Sequence, residues 1–182
     1  MVKKINVEIE GTKPLLMNKF GEKALEKLAG RTHTIHSDFK ADVEAEDRAY
    51  RSANGDLHVP ARCIKACITQ ASAWYKIGRK SFKQYVSGLL KIEPEEVSLG
   101  TKKYDIDIQA IPLQRGNRDI RARPIFKNWK LKFTIVYDTP ITEDKLHEIV
   151  EEAGIRCGLL DRRPAKNGEF GTFKLVKWQP IQ

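Results

Sequence analysis

The sequence predicts an α+β fold in which helices cover one mostly antiparallel sheet. Three observations carry this. Lys3–Glu10 alternates, with Ile5, Val7 and Ile9 on one face and Asn6, Glu8 and Glu10 on the other, as a half-buried strand does. Trp129–Asp138 alternates more strongly still, with Leu131, Phe133 and Ile135 set against Lys130, Lys132 and Thr134. Two other stretches repeat at helical spacing: Ile64, Cys67, Ile68 and Ala71, then Leu146, Ile149, Val150 and Ala153.

The remaining elements follow in order. Gly11–Pro14 breaks the first strand, and Leu15–Met17 resumes an apolar run. Glu22–Leu28 suits a short helix ended by Gly30, Arg31–Lys40 has no period, and Ala41–Tyr50 suits a helix. Residues 18–50 therefore read as an N-terminal insertion. Tyr50–Val59 reads as a hairpin turning at Asn54-Gly55. Pro60 suits the first turn of the helix that follows. Ser81–Leu90 reads as a second helix. Ile92–Leu99 and Tyr104–Leu113 read as strands, with Ile106, Ile108 and Ala110 sharing one face. Gln114–Asp119 is a polar turn, and Pro124 marks an edge or an irregular crossing in the strand after it. Thr142 is placed to cap the last helix, with Glu143 and Asp144 in its positive first turn. Two strand–helix–strand halves over one sheet give a ferredoxin-like (RRM-like) sandwich, a single domain over residues 1–182.

A chain of 182 residues with 41% hydrophobic and 31% charged residues is an ordinary globular composition. No apolar run approaches the ~20 residues of a membrane span, and the N-terminus has no secretory core, so a cytoplasmic location is expected. Cys63, Cys67 and Cys157 are an odd count on helical patterns, read as reduced thiols. Cys63 and Cys67 stand four apart, but no third and fourth ligand lies near them, so no metal and no cofactor is expected.

The net charge is +9, which points to a polyanionic partner. Gln114–Lys132 holds seven cations against Asp119 alone. Arg115 and Arg118 flank the turn at Gly116-Asn117, and Arg121 and Arg123 share a strand face, so with Lys127 they form a finger for a phosphate backbone. The same residues also suit an edge hairpin kept soluble by charge. A second element, Gly158–Gly171, sets Arg162, Arg163 and Lys166 among Gly158, Gly168 and Gly171. Cations beside bare backbone amides suit a polyanion. A helix end at Gly158 followed by a plain hairpin loop explains the glycines equally well. Trp74 or Tyr75, beside Lys76, Arg79 and Lys80, could stack a base, whereas Phe133 and Phe173 belong to the core.

Several of these segments carry a resemblance. Val59-Pro60-Ala61 followed by Ile64-Lys65-Ala66 resembles the strand-end element of the RAMP (repeat-associated mysterious protein) superfamily. Gly158–Phe173 resembles that superfamily's glycine-rich loop, with Phe170-Gly171-Thr172-Phe173 as its closing aromatic-glycine-x-aromatic. Arg123-Pro-Ile-Phe, Trp129, Gly158-Leu-Leu-Asp161 and Arg163-Pro164 also resemble small phage and prophage proteins of this fold. The resemblance spans about Leu57–Arg79 and Asp119–Trp178. It implies an RRM-like domain that binds RNA or single-stranded DNA through the backbone. The best-known members are backbone subunits of CRISPR effector complexes, and others are endoribonucleases that process CRISPR transcripts.

The expectation is therefore non-catalytic binding of single-stranded nucleic acid, RNA in preference to DNA. A homo-oligomer or filament along the strand is one form it could take. Two alternatives stand beside it. One is a metal-independent endoribonuclease using His33 or His36 as general acid or base. The other is an adaptor whose basic face meets an acidic protein.

Overall fold

Alternation in the first strand builds the element on which the rest of the molecule assembles. In the computed structural model, which describes residues 2–21, 39–112 and 118–181, β1 spans Lys3–Gly11. It lies at the centre of a four-stranded sheet. On one side it pairs with β10 (Lys130–Tyr137) and on the other with β11 (Phe173–Ile181). β6 (Lys91–Glu93) closes the far edge of β10, giving the order β11-β1-β10-β6 with every neighbour antiparallel.

One face of this sheet is apolar because the alternation is kept in register across it. Ile5 stands opposite Ile135, Val7 opposite Phe133, and Ile9 opposite Leu131, and all six are buried. Helix α2 (Ala61–Ala71) and helix α4 (Glu143–Glu152) supply the rest of this core, through Ile64, Cys67, Ile68 and Ala71 and through Leu146, Ile149 and Val150. The opposite face carries cross-strand ion pairs instead: Lys130–Glu10 at 3.8 Å, Lys132–Glu8 at 3.5 Å and Lys174–Glu10 at 3.6 Å. Such exposed pairs contribute ~0–1 kcal/mol each, so they keep the face polar more than they hold it together.

A second sheet has the strand order β2 (Leu15–Leu16), β9 (Arg118–Phe126), β8 (Asp105–Pro112). The chain passes from the first sheet towards it where Gly11 meets Trp129. Gly11 N donates to Trp129 O at 2.9 Å, and the buried Trp129 indole donates to Lys13 O at 2.9 Å. The acidic helix α1 (Ala41–Asp47) covers β9, and Glu44 accepts the Ala122 amide at 3.3 Å. α1 is the described part of the expected insertion. The helix expected at Glu22–Leu28 lies outside the described residues, as does the aperiodic stretch up to residue 38.

Three expectations change. Ile92–Leu99 is two short strands, not one: β6 joins the main sheet, while β7 (Glu96–Ser98) pairs with β3 (His58–Pro60). Pro94 separates them, since it cannot donate to a ladder. In β8 the shared face of Ile106, Ile108 and Ala110 is the exposed one (Ile108 is 55% exposed), because Asp107 and Gln109 turn inward to a buried guanidinium. At the hairpin after Tyr50, Ser52 and Asp56 flank a loop of three residues that ends on Gly55, in place of a two-residue turn. Helix α3 (Lys83–Leu89) occurs within its expected range. Thr142 precedes α4 in extended conformation, but its side chain makes no capping bond. Pro60 is the residue before α2. Among the described residues no helix is long and apolar enough to cross a membrane.

The close approach of Gly11 to Trp129 depends on a missing side chain. A Cβ at Gly11 would stand 2.1 Å from Trp129 Nε1. Gly11→Ala is expected to cost about 1–3 kcal/mol by overpacking. It should be read as a lower urea midpoint with an unchanged slope.

Candidate nucleic-acid interface

The β8–β9 hairpin pairs as expected, but its described cations Arg121, Arg123 and Lys127 are paired within the protein. Arg123 is 2% exposed. Its Nη1 donates to Asp161 Oδ2 at 2.8 Å, and its Nη2 to Asp107 Oδ2 at 3.1 Å and Gln109 Oε1 at 3.3 Å. Arg121 lies 3.8 Å from Glu44 of α1, and Lys127 lies 3.4 Å from Asp105. The acidic segment Ala41–Arg51 thus meets the basic segment after Gln114 through Glu44, which lies beside Arg121 and accepts the Ala122 amide. Arg115 lies outside the described residues, as do His33 and His36. Arg118 opens β9 opposite Pro112 and is described by its backbone alone.

The glycine loop is also turned inward. It leaves a π-helical turn at Ala153–Cys157 and folds back on itself. The amides of Gly158, Gly168 and Gly171, expected to meet phosphate, donate instead to Ala153 O at 2.9 Å, Arg163 O at 3.1 Å and Pro14 O at 2.8 Å. Gly171 has φ 70°, and a Cβ there would stand 2.1 Å from Leu159 O, so glycine is needed for closure. Arg162 donates to Gln109, and Arg163 to Leu160 O at 2.7 Å. Of the three loop cations, Lys166 is the exposed one. The loop and the hairpin do converge, as the sequence suggested, but through Asp107, Asp161 and Gln109, which fill the place a phosphate would take.

A larger group of cations without carboxylate partners lies elsewhere. From Leu57 to Ile92 the chain has no aspartate or glutamate, yet holds seven cations: Arg62, Lys65, Lys76, Arg79, Lys80, Lys83 and Lys91. Among the described residues none of the seven is in an ion pair, whereas Lys127, Lys130, Lys132, Arg121 and Arg123 all are. Six of them are exposed and Lys65 is half-buried. They fall into two groups at the ends of α2, roughly 16 Å of helix apart at 1.5 Å per residue.

At the C-terminal end, α2 runs through a 3₁₀ turn (Ser72–Trp74) into a hairpin of β4 (Lys76–Ile77) and β5 (Lys80–Ser81). Gly78 takes φ 58° in its two-residue turn and puts Arg79 at the tip. Lys83 follows as the first residue of α3. Trp74 is 53% exposed beside this hairpin, with the Arg156 guanidinium 5.5 Å from its ring centre. Tyr75 is half-buried under the Lys145 ammonium at 5.2 Å. At the N-terminal end, Arg62, Lys65 and Lys91 line a cleft with His58 and Tyr50. Burial pushes the His58 imidazole below its ordinary pKa, and the nearby Arg62 charge acts the same way.

The sequence signal for this face was present as a run without acids. The helical pattern of Ile64, Cys67 and Ile68 dominates that run, and within it Trp74 or Tyr75 beside Lys76, Arg79 and Lys80 is the part that reads as a stacking site. The cysteines lie apart from it: Cys67 and Cys157 are buried, and Cys67 Sγ donates to Ala153 O at 3.5 Å. A scan against protein-family models and a search of curated proteins return no match.

Replacing Arg123 would strand two partly buried carboxylates. Arg123→Met is expected to cost about 2–3 kcal/mol by loss of charge-assisted hydrogen bonds, measured by equilibrium urea unfolding.

Proposed function

We propose that this chain binds single-stranded nucleic acid, RNA in preference to DNA, along α2, the β4–β5 hairpin and the start of α3. The observation that carries the reading is the acid-free run from Leu57 to Ile92, whose seven cations have no carboxylate partner among the described residues. Unpaired cations on one structural unit raise the local potential and attract a polyanion, while paired ones cancel. Exposed Trp74, backed by Arg156, offers a ring on which a base can stack, a contact worth ~1–3 kcal/mol that tolerates any base. Binding of this kind is sequence-tolerant and does not require catalysis.

A ferredoxin-like, RAMP-like domain is part of the same proposal. It is supported by the strand order β11-β1-β10-β6 with antiparallel neighbours, and by α2 and α4 packing on one side of that sheet. It is also supported by the position of Val59-Pro60-Ala61, where β3 ends and α2 begins. The open sheet face, with its Lys–Glu pairs, offers no exposed stacking ring, so the helical side is the better surface for a strand.

Salt dependence tests the location. Lys76→Gln, Arg79→Gln and Lys80→Gln together should lower the slope of log affinity for single-stranded RNA against log salt by about 2, at roughly 0.7 per phosphate contact. Lys127→Gln, Lys130→Gln and Lys132→Gln, an equal change in charge, should leave the slope unchanged. Fluorescence anisotropy over about 50–200 mM salt reads both. The reverse result would move the interface back to the second half of the chain.

A further inference from the structure

We propose that the cleft at the start of α2 seats a terminal phosphate, a phosphate monoester at one end of the bound strand. This rests on the nucleic-acid reading above and adds a preference for one kind of strand end. The cleft measures about 540 Å³, within the range of small-ligand sites. Three features of its lining fit a compact dianion.

The first is the helix start. α2 begins at Ala61, whose amide donates to Glu95 O at 2.8 Å; Pro60 before it has no side-chain acceptor for the amides that follow, and the first turn holds no acid. Arg62 stands there instead, so a cation adds to the positive end of the helix dipole. That combination disfavours the empty site and favours an anion. The second is convergence: Lys65, one turn along α2, and Lys91, the first residue of β6, line the same cleft as Arg62. Three cations around one site match the double charge of a phosphate monoester better than the single charge of an internal phosphodiester.

The third is His58. It is 7% exposed and lines the cleft. Its Nδ1 lies 2.9 Å from Ser52 Oγ, while its Nε2 stands 4.0 Å from Glu96 Oε1, beyond hydrogen-bond reach. With Ser52 as the donor to Nδ1, the Nε2–H is left as a donor inside the cleft. A phosphate oxygen would satisfy it. Glu95 and Glu96 line the same cleft beside the helix start, where Glu95 O accepts the Ala61 amide at 2.8 Å and Glu96 stands opposite Pro60. Two carboxylates in the cleft repel a strand that runs through it, so the site suits an end of the chain and not its middle.

The test uses the full chain and one short single-stranded RNA prepared with a 5′-phosphate, with a 3′-phosphate, or with hydroxyls at both ends. Anisotropy titrations at fixed ionic strength should show one phosphorylated form binding about tenfold tighter than the hydroxyl form. Which end gains identifies the polarity of the strand. Arg62→Gln with Lys65→Gln should abolish that gain, so that this variant binds all three RNAs equally, whatever affinity for the hydroxyl form it loses with two strand-binding cations. Equal affinity for all three RNAs would overturn the pocket and leave the strand-binding reading standing. Failure of all three to bind would overturn both. A gain that persists in the double variant would also overturn the pocket, because the phosphate would then be recognised elsewhere.

Discussion

Burial of Arg123 between Asp107, Asp161 and Gln109 is the constraint on which the architecture and its surface charge both depend. Both Nη groups of this deep guanidinium are met, by two carboxylates and an amide oxygen, which offsets the cost of burying its charge, while Nε has no hydrogen-bond partner among the described residues. One carboxylate comes from β8 and one from the glycine loop, so the ion cluster ties the loop to the second sheet. The loop is further held by Asp161 N to Leu16 O at 3.0 Å and Gly171 N to Pro14 O at 2.8 Å. Loop, inter-sheet linker and hairpin therefore form one unit, built around a charge that a ligand cannot reach.

That internal use of charge explains why density along the chain misleads about binding. Seven cations lie between Gln114 and Lys132, but five of them, Arg121, Arg123, Lys127, Lys130 and Lys132, are answered by carboxylates from other elements: Glu44, Asp107, Asp161, Asp105, Glu10 and Glu8. Pairing across the fold cannot be read from local composition. The face with fewer arginines, from Arg62 to Lys91, has the stronger claim on a polyanion because none of its cations is in an ion pair among the described residues.

Much of the main sheet was legible for a simple reason. In β1 and β10 one face meets the core and the other meets water, so the alternation of Ile5, Val7 and Ile9 or of Leu131, Phe133 and Ile135 reports burial directly. The same rule failed in β8, where Asp107 and Gln109 face inward to serve Arg123 and Ile106 and Ile108 face out. An inward-facing ion cluster inverts the pattern that sequence reasoning relies on. The glycines failed differently. Glycine signals close backbone approach, and Gly171 does meet another backbone closely, but that backbone is Leu159 of the same loop and not a ligand. The run from Leu57 to Ile92 was legible in composition, and only its freedom from ion pairs required coordinates.

Localising bound RNA by hydrogen–deuterium exchange tests the central claim most directly. With saturating single-stranded RNA, protection should gather on amides of Arg62–Lys91, above all the β4–β5 hairpin, and leave Arg118–Lys132 and Gly158–Thr172 unchanged. Protection confined to those two second-half segments would contradict the account, because it would require the Arg123 cluster to open and its cations to turn outward.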